Sequence, residues 1–183
     1  EKTQGVVLRT IRYGEAALIA DVYTSSHGVL GFMVKVPKGR KSALRSVLFA
    51  SLTMLELDFD YRETLKLHRL TDVRVWKPYE TLPYQPVKQT IALFLSEFLY
   101  YSLRDEHYNE DLFSYLVGSM EWLDQCESGF TNFPLTFLIR LSRFLGIWPT
   151  EPEVAAQLRA DEQHLGPLIL RMDFATMHLF QFT

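Results

Sequence analysis

The sequence predicts an α+β chain of two modules, a small five-stranded β-barrel followed by an all-α region. Three observations carry that reading. The first stretch of about 75 residues holds five short segments of strand character separated by turn residues. From residue 87 onward the apolar period becomes helical. Between the two, Pro78, Pro83 and Pro86 interrupt both patterns. The expected boundaries are 1–77 for the barrel, 78–86 for a proline-rich linker and 87–183 for the helical domain.

Val6–Arg12 reads as the first strand, ended by Gly14, and Ala17–Thr24 reads as the second. The turn cluster Ser25-Ser26-His27-Gly28 leads into the third, Val29–Val36, in which Phe32, Val34 and Val36 alternate with Met33 and Lys35. Leu55, Leu57, Phe59 and Tyr61 then alternate with Glu56, Asp58 and Asp60, which marks a strand with one wet face. A fifth strand is expected from Leu65 to Val75. Five short strands with turns between them suggest a closed barrel, the oligonucleotide-binding (OB) type first and an SH3-like barrel second.

In the second module Val87–Arg104 is apolar on nearly all sides, the pattern of a helix buried by its neighbours. Asn109 is placed to cap the next helix, with Glu110 and Asp111 in its first turn. That helix puts Leu112, Phe113, Leu116, Val117, Met120 and Leu123 on one stripe. Asn132 and Pro134 start a third helix that carries Leu138, Leu141, Phe144 and Leu145 and stops at Gly146. Further helical segments are expected across Glu153–Glu162 and from Asp173. The apolar pattern is unbroken at Thr183, so the helical domain is expected to be incomplete at its C-terminal end.

The net charge of −3 conceals an asymmetry. Residues 1–77 carry 13 Lys/Arg against 8 Asp/Glu, whereas residues 78–183 carry 6 against 14. A basic half followed by an acidic half suggests different partners for the two modules. No apolar run approaches the roughly 18–20 residues of a membrane span, which argues against a membrane role. The single cysteine, Cys126, excludes an internal disulfide and a cysteine metal cluster, and with them points to the cytoplasm.

Residues suited to catalysis do not converge. Lys41-Ser42 follows Arg40 rather than Gly, which spoils a phosphate-cradling GK[ST]. The five histidines are scattered without metal-ligand spacing, and Cys126 has no nearby His. The reading is therefore of a non-enzyme with no cofactor and no metal. The chemistry that does concentrate is positive charge: Lys35, Lys38, Arg40, Lys41 and Arg45 leave the third strand with no Asp or Glu between Asp21 and Glu56. Such a run is a candidate phosphate-binding patch, with Arg9, Arg12 and Arg69 as weaker members. Phe32, Phe49, Tyr61 and Tyr23 are candidate base-stacking platforms, although core packing is the favoured role for each. A scaffold that binds only proteins, its basic loop merely solvated, is the alternative.

The opening KTQGVVLRTIRYGEAALIADVYTSSHGVLGFMVKVPKGRKS resembles the start of RecO, the bacterial recombination mediator family. PYQPVKQTIALFLSEFLYYSLRDE and NFPLTFLIRLSRFLGIWP resemble its helical part, and the similarity resumes at MDFATMHLFQF. The resemblance implies an N-terminal OB barrel, a C-terminal helical domain and a non-enzymatic role in DNA repair. It implies binding to single- and double-stranded DNA, annealing of complementary strands, and work on the nucleoid. With RecR, such a protein helps load RecA onto DNA coated by single-strand-binding protein (SSB). Some relatives carry a four-cysteine zinc site, which a chain with only Cys126 cannot build.

The same resemblance implies a site for the acidic, apolar-ended C-terminal tail of SSB. Such a ligand needs a cation at the rim of an apolar groove. Arg140 and Arg143 lie three apart on one helix face, and Leu141 and Phe144 are candidates for the floor. Surface pairing with neighbouring acids, worth under about 1 kcal/mol per pair, is the competing role for both arginines.

Overall fold

A computed structural model of the chain describes residues 1–36 and 47–148. Five strands, β1 (Lys2–Tyr13), β2 (Ala17–Thr24), β3 (Gly28–Lys35), β4 (Met54–Phe59) and β5 (Leu67–Lys77), form a closed barrel in the order β1-β2-β3-β5-β4. This is the expected OB-type barrel. Every seam is antiparallel except that between β3 and β5, which run parallel and pair only through Gly31–Leu67, Phe32–His68 and Met33–Arg69. The first strand begins earlier than its apolar residues suggest. Lys2, Thr3 and Gln4 pair with Asp58, Leu57 and Glu56 of β4, and a backbone ladder needs no apolar side chain to form.

Alternation along each strand sends one set of side chains inward. Val7, Val22, Phe32, Val34, Leu57 and Phe59 are all at most 1% exposed, each burial stabilising the fold by about 1.5–3 kcal/mol. Phe32 and Phe59 meet edge to face with ring centroids 5.1 Å apart. Phe49 closes the barrel from within the β3–β4 connection, and its carbonyl accepts a 2.8 Å hydrogen bond from the Thr10 hydroxyl. Leu52, fully buried, adopts φ +61°, a conformation that L-residues rarely hold. Its amide donates to the Val7 carbonyl at 2.7 Å, and its own carbonyl accepts the Tyr79 hydroxyl at 2.6 Å.

The residues after β5 lie against the same body. A 3-10 turn at Leu82–Tyr84 precedes helix α1 (Pro86–Leu103). Lys88 is fully buried, and its Nζ donates to the Thr81 hydroxyl at 2.7 Å. Helix α1 buries Ile91, Ala92, Leu95, Leu99 and Leu103 on one side, where it packs on β1. Its other side leaves Val87, Leu93, Phe94 and Tyr101 between 47 and 62% exposed. Among the described residues the all-round apolar sequence therefore does not correspond to a helix covered on every side, because one strand surface buries only one helical stripe.

Asn109 joins two functions. Its Oδ1 accepts the Leu112 amide at 3.0 Å, capping helix α2 (Glu110–Gln125) as expected. Its backbone also meets the Tyr23 hydroxyl, which accepts from the Asn109 amide at 3.3 Å and donates to the Asn109 carbonyl at 3.4 Å. Burial pushes that phenol up to about 12. Gly28, at φ +72°, lies against the same connection, where an added Cβ would come within 3.2 Å of the Glu106 carbonyl.

The chain divides into two compact units, Glu1–Phe113 and Ser114–Thr183. In the second, α2 packs against helix α3 (Phe133–Phe144). Tyr115 stacks on Phe137 and Phe144 at 5.2 and 5.1 Å, and Trp122 stacks on Phe133 at 5.3 Å. Asn132 makes no side-chain cap and belongs to a 3-10 turn, Phe130–Asn132, that feeds α3. The far end matches expectation. Gly146 at φ +66° lets its own amide reach the Arg143 carbonyl and the Ile147 amide reach Ser142, closing the helix. The segments expected across 153–162 and from 173 lie outside the described residues. No helix among the described residues is long and apolar enough to cross a membrane.

Candidate nucleic-acid interface

Register decides which side chains share the outer wall of the barrel, because paired residues on neighbouring strands point to the same side. Tyr13 pairs with Ala17, and Ala17 with Lys35. Ile11 pairs with Ile19, Ile19 with Met33, and Met33 with Arg69. Arg9 pairs with Asp21, Asp21 with Gly31, and Gly31 with Leu67. Three parallel rows thus cross the outer face, bearing Tyr13 and Lys35, then Ile11, Met33 and Arg69, then Arg9. The rows in between face the core: Ala20, Phe32 and His68, all buried, form one of them, with Thr10 exposed at its β1 end.

The wall opens where β3 and β5 part. Beyond Met33 and Arg69 strand β3 continues along β2, while β5 turns to β4 from Leu70 onward. The gap is a groove of about 910 Å³ with Met33, Val36 and Leu70 on its apolar lining and Tyr13, Lys35 and Arg69 beside them. Among the described residues no carboxylate lines it. Tyr13 is 58% exposed, and Lys35 and Arg69 are also exposed.

Two of the predicted barrel cations are placed differently. Arg12 pairs with Leu18, so it stands on the opposite side of β1 from Ile11 and Tyr13 and does not join their face. Arg9 shares the outer face but is engaged: its guanidinium lies 4.7 Å from the Tyr100 ring centroid, beside a cavity of about 220 Å³ between β1 and α1. Asp21 is its cross-strand neighbour. Burial pushes the Asp21 carboxyl up, and the Arg9 charge pulls it part of the way back. Lys38, Arg40, Lys41 and Arg45 lie outside the described residues, in the segment that begins one residue after Val36.

The candidate stacking platforms belong to the core. Tyr23 and Phe32 are fully buried and Phe49 is 1% exposed. Tyr61 is half-buried, with rings on both sides: His27 at 4.0 Å and His68 at 5.4 Å. Tyr13, which sequence reasoning passed over, is the aromatic ring on the open face. Its signal was available, since it follows Arg9 and Ile11 at even spacing and so shares their side of an extended chain, but its partners across the sheet were not.

In the helical part Arg143 is exposed and its guanidinium lies 4.4 Å from the Trp148 ring centroid, while Arg140 is half-buried. Leu141 is 1% exposed and Phe144 stacks on Tyr115. Both apolar residues therefore take part in packing α2 and α3. The Cys126 thiol donates to the Ser128 carbonyl at 2.9 Å. Among the described residues no group of three or more His, Cys, Asp or Glu side chains is placed to hold a metal ion.

A closed barrel of this strand order, with a cation-flanked groove on its outer wall, is of the class whose strand faces take oligonucleotides or oligosaccharides. The family model "Recombination protein O N terminal" matches residues 1–79, and "Recombination protein O C terminal" matches residues 83–152. The chain is 42% identical over 200 residues to the DNA repair protein RecO of Phocaeicola vulgatus, an alignment covering 98% of this chain and 83% of that one. It is 39% identical to the DNA repair protein RecO of Bacteroides fragilis with the same coverage. To that of Christiangramia forsetii it is 38% identical over 80% of this chain and 62% of the relative. The chain belongs to the RecO family of DNA repair proteins.

Proposed function

We propose that this chain is a non-enzymatic recombination mediator in DNA repair whose barrel, residues 1–77, binds single- and double-stranded DNA. The observation that carries the reading is the outer wall of the barrel, where Lys35 and Arg69 stand beside a groove that no carboxylate among the described residues lines. Lys38, Arg40, Lys41 and Arg45 follow directly in sequence and extend the same positive charge. Arg9 contributes less, being engaged with Tyr100 and flanked by Asp21, and Arg12 reaches DNA only from the other side of β1. Neutralising phosphates on both strands of a repair intermediate lowers the repulsion between them, which is the physical basis for annealing.

Membership of the family supports the wider role: action with RecR in loading RecA onto SSB-coated DNA, on the nucleoid in the cytoplasm. Within the helical part expected over 87–183, beyond the 78–86 segment, the second compact unit, Ser114–Thr183, is then the protein-binding half. Arg140 and Arg143 are its candidate contacts for the acidic SSB tail, with Leu141 and Phe144 supporting that face from within. Charge reversal separates the two halves. Lys35→Glu with Arg69→Glu should weaken binding of a single-stranded oligonucleotide at least tenfold and leave tail-peptide binding intact. Arg140→Glu with Arg143→Glu should do the converse, both read by fluorescence anisotropy. If neither pair alters its ligand, the chain is better described as a scaffold with a solvated basic loop.

A further inference from the structure

We propose that the groove between β3 and β5 is a slot for an unpaired nucleobase, with Tyr13 as its stacking ring and Lys35 and Arg69 as the contacts for the flanking phosphates. The proposal rests on the DNA-binding reading above and adds to it a means of telling single strands from duplex. Three features carry it. The lining is apolar at Met33, Val36 and Leu70, which suits the face of a base but not a phosphate. The charged members among the described residues are both cations, so the ligand that fits is anionic as well as flat. The volume of about 910 Å³ lies within the range of pockets that take a small molecule.

The opening follows from the topology. A parallel seam of three pairs cannot continue once β5 has turned towards β4, so the gap is part of the barrel. Tyr13, on the same cross-strand row as Lys35, stands at its side and is 58% exposed. A base already paired and stacked in a duplex presents only its edge to such a slot and keeps its face covered. Duplex DNA would therefore meet Lys35 and Arg69 alone, whereas a single strand would meet the cations and the ring.

The test uses the full chain and two 20-nucleotide probes, oligothymidylate and an abasic oligomer with the same phosphates and no bases. Stacking of one base on an aromatic side chain corresponds to about a fivefold gain or more. The parent should bind oligothymidylate at least fivefold more tightly than the abasic strand. Tyr13→Ala should erase that preference while binding the abasic strand as the parent does, and Tyr13→Phe should keep it. Lys35→Ala should weaken both probes equally. Parent chain that binds both probes equally, or a Tyr13→Ala variant that keeps the preference or loses affinity for both alike, overturns the slot while leaving DNA binding in place. Parent chain that binds neither probe overturns the slot together with the reading on which it rests.

Discussion

Phe32 and Met33 are adjacent in sequence, yet they belong to opposite sides of the same barrel wall. Phe32 is fully buried, in edge contact with Phe59 and in a row with Thr10, Ala20 and His68. Met33 lies half-buried on the outer face, in a row with Ile11, Ile19 and Arg69 at the rim of the groove. One register therefore serves two purposes. The inward rows hold the fold together, and the outward rows between them compose the surface to which the proposed function assigns DNA. Changes one residue apart should then separate stability from binding.

The largest expected effect is on the inner face. Phe32→Ala should cost about 3–5 kcal/mol of stability through lost burial and the cavity left behind, read as a lower urea midpoint. Met33→Ala, at the outer face, should cost about 1 kcal/mol or less. Equal losses would break the distinction between the two sides.

Gly31→Ala tests the seam itself. An added Cβ would lie 2.9 Å from Leu67 Cδ2 and 3.0 Å from the Lys66 carbonyl, so the Leu67 side chain must move and the backbone at Lys66 must give by a few tenths of an ångström. A loss of about 1–3 kcal/mol is expected from such overpacking. Because the groove begins where this seam ends, the variant should also weaken single-strand binding at temperatures where it remains folded.

The smallest expected effect concerns Asp21, whose carboxyl burial pushes up despite the Arg9 charge. A raised folded-state value means that the folded chain holds this proton more tightly than the unfolded chain does. The associated stabilisation is complete below the unfolded value of about 3.9 and is lost as pH rises through the folded value. Asp21→Asn stays neutral throughout, so its melting temperature should exceed that of the parent by a small margin at pH 7. The margin should shrink towards pH 4. A margin that grows on acidification would show that the Arg9 pairing outweighs the burial.

Much of the barrel was legible in the sequence because period-two alternation reports directly on which side of a sheet is buried. Leu55, Leu57 and Phe59 were read in this way and are the inward side of β4. The cation at Lys35 was legible too. What could not be read was pairing between strands distant in sequence: Arg69 reaches Met33 only through the parallel seam, and Tyr13 reaches Lys35 only through Ala17. The same limit hid the separation of Arg12 from the outer face. In the helices, composition located α1 but not its buried side. Lys88, counted among the cations of the second half, is enclosed and bonded to Thr81. A count of charges does not reveal which of them meet solvent.

On the proposed function, the outer wall of the barrel contacts DNA phosphates through Lys35 and Arg69. The salt dependence of single-strand affinity tests it most directly, because each phosphate contact releases counterions and contributes about 0.7 to the slope of log K against log salt concentration. Lys35→Ala with Arg69→Ala in the full chain should make that slope shallower by about 1.4. A slope identical to that of the parent would place the phosphate contacts elsewhere on the molecule.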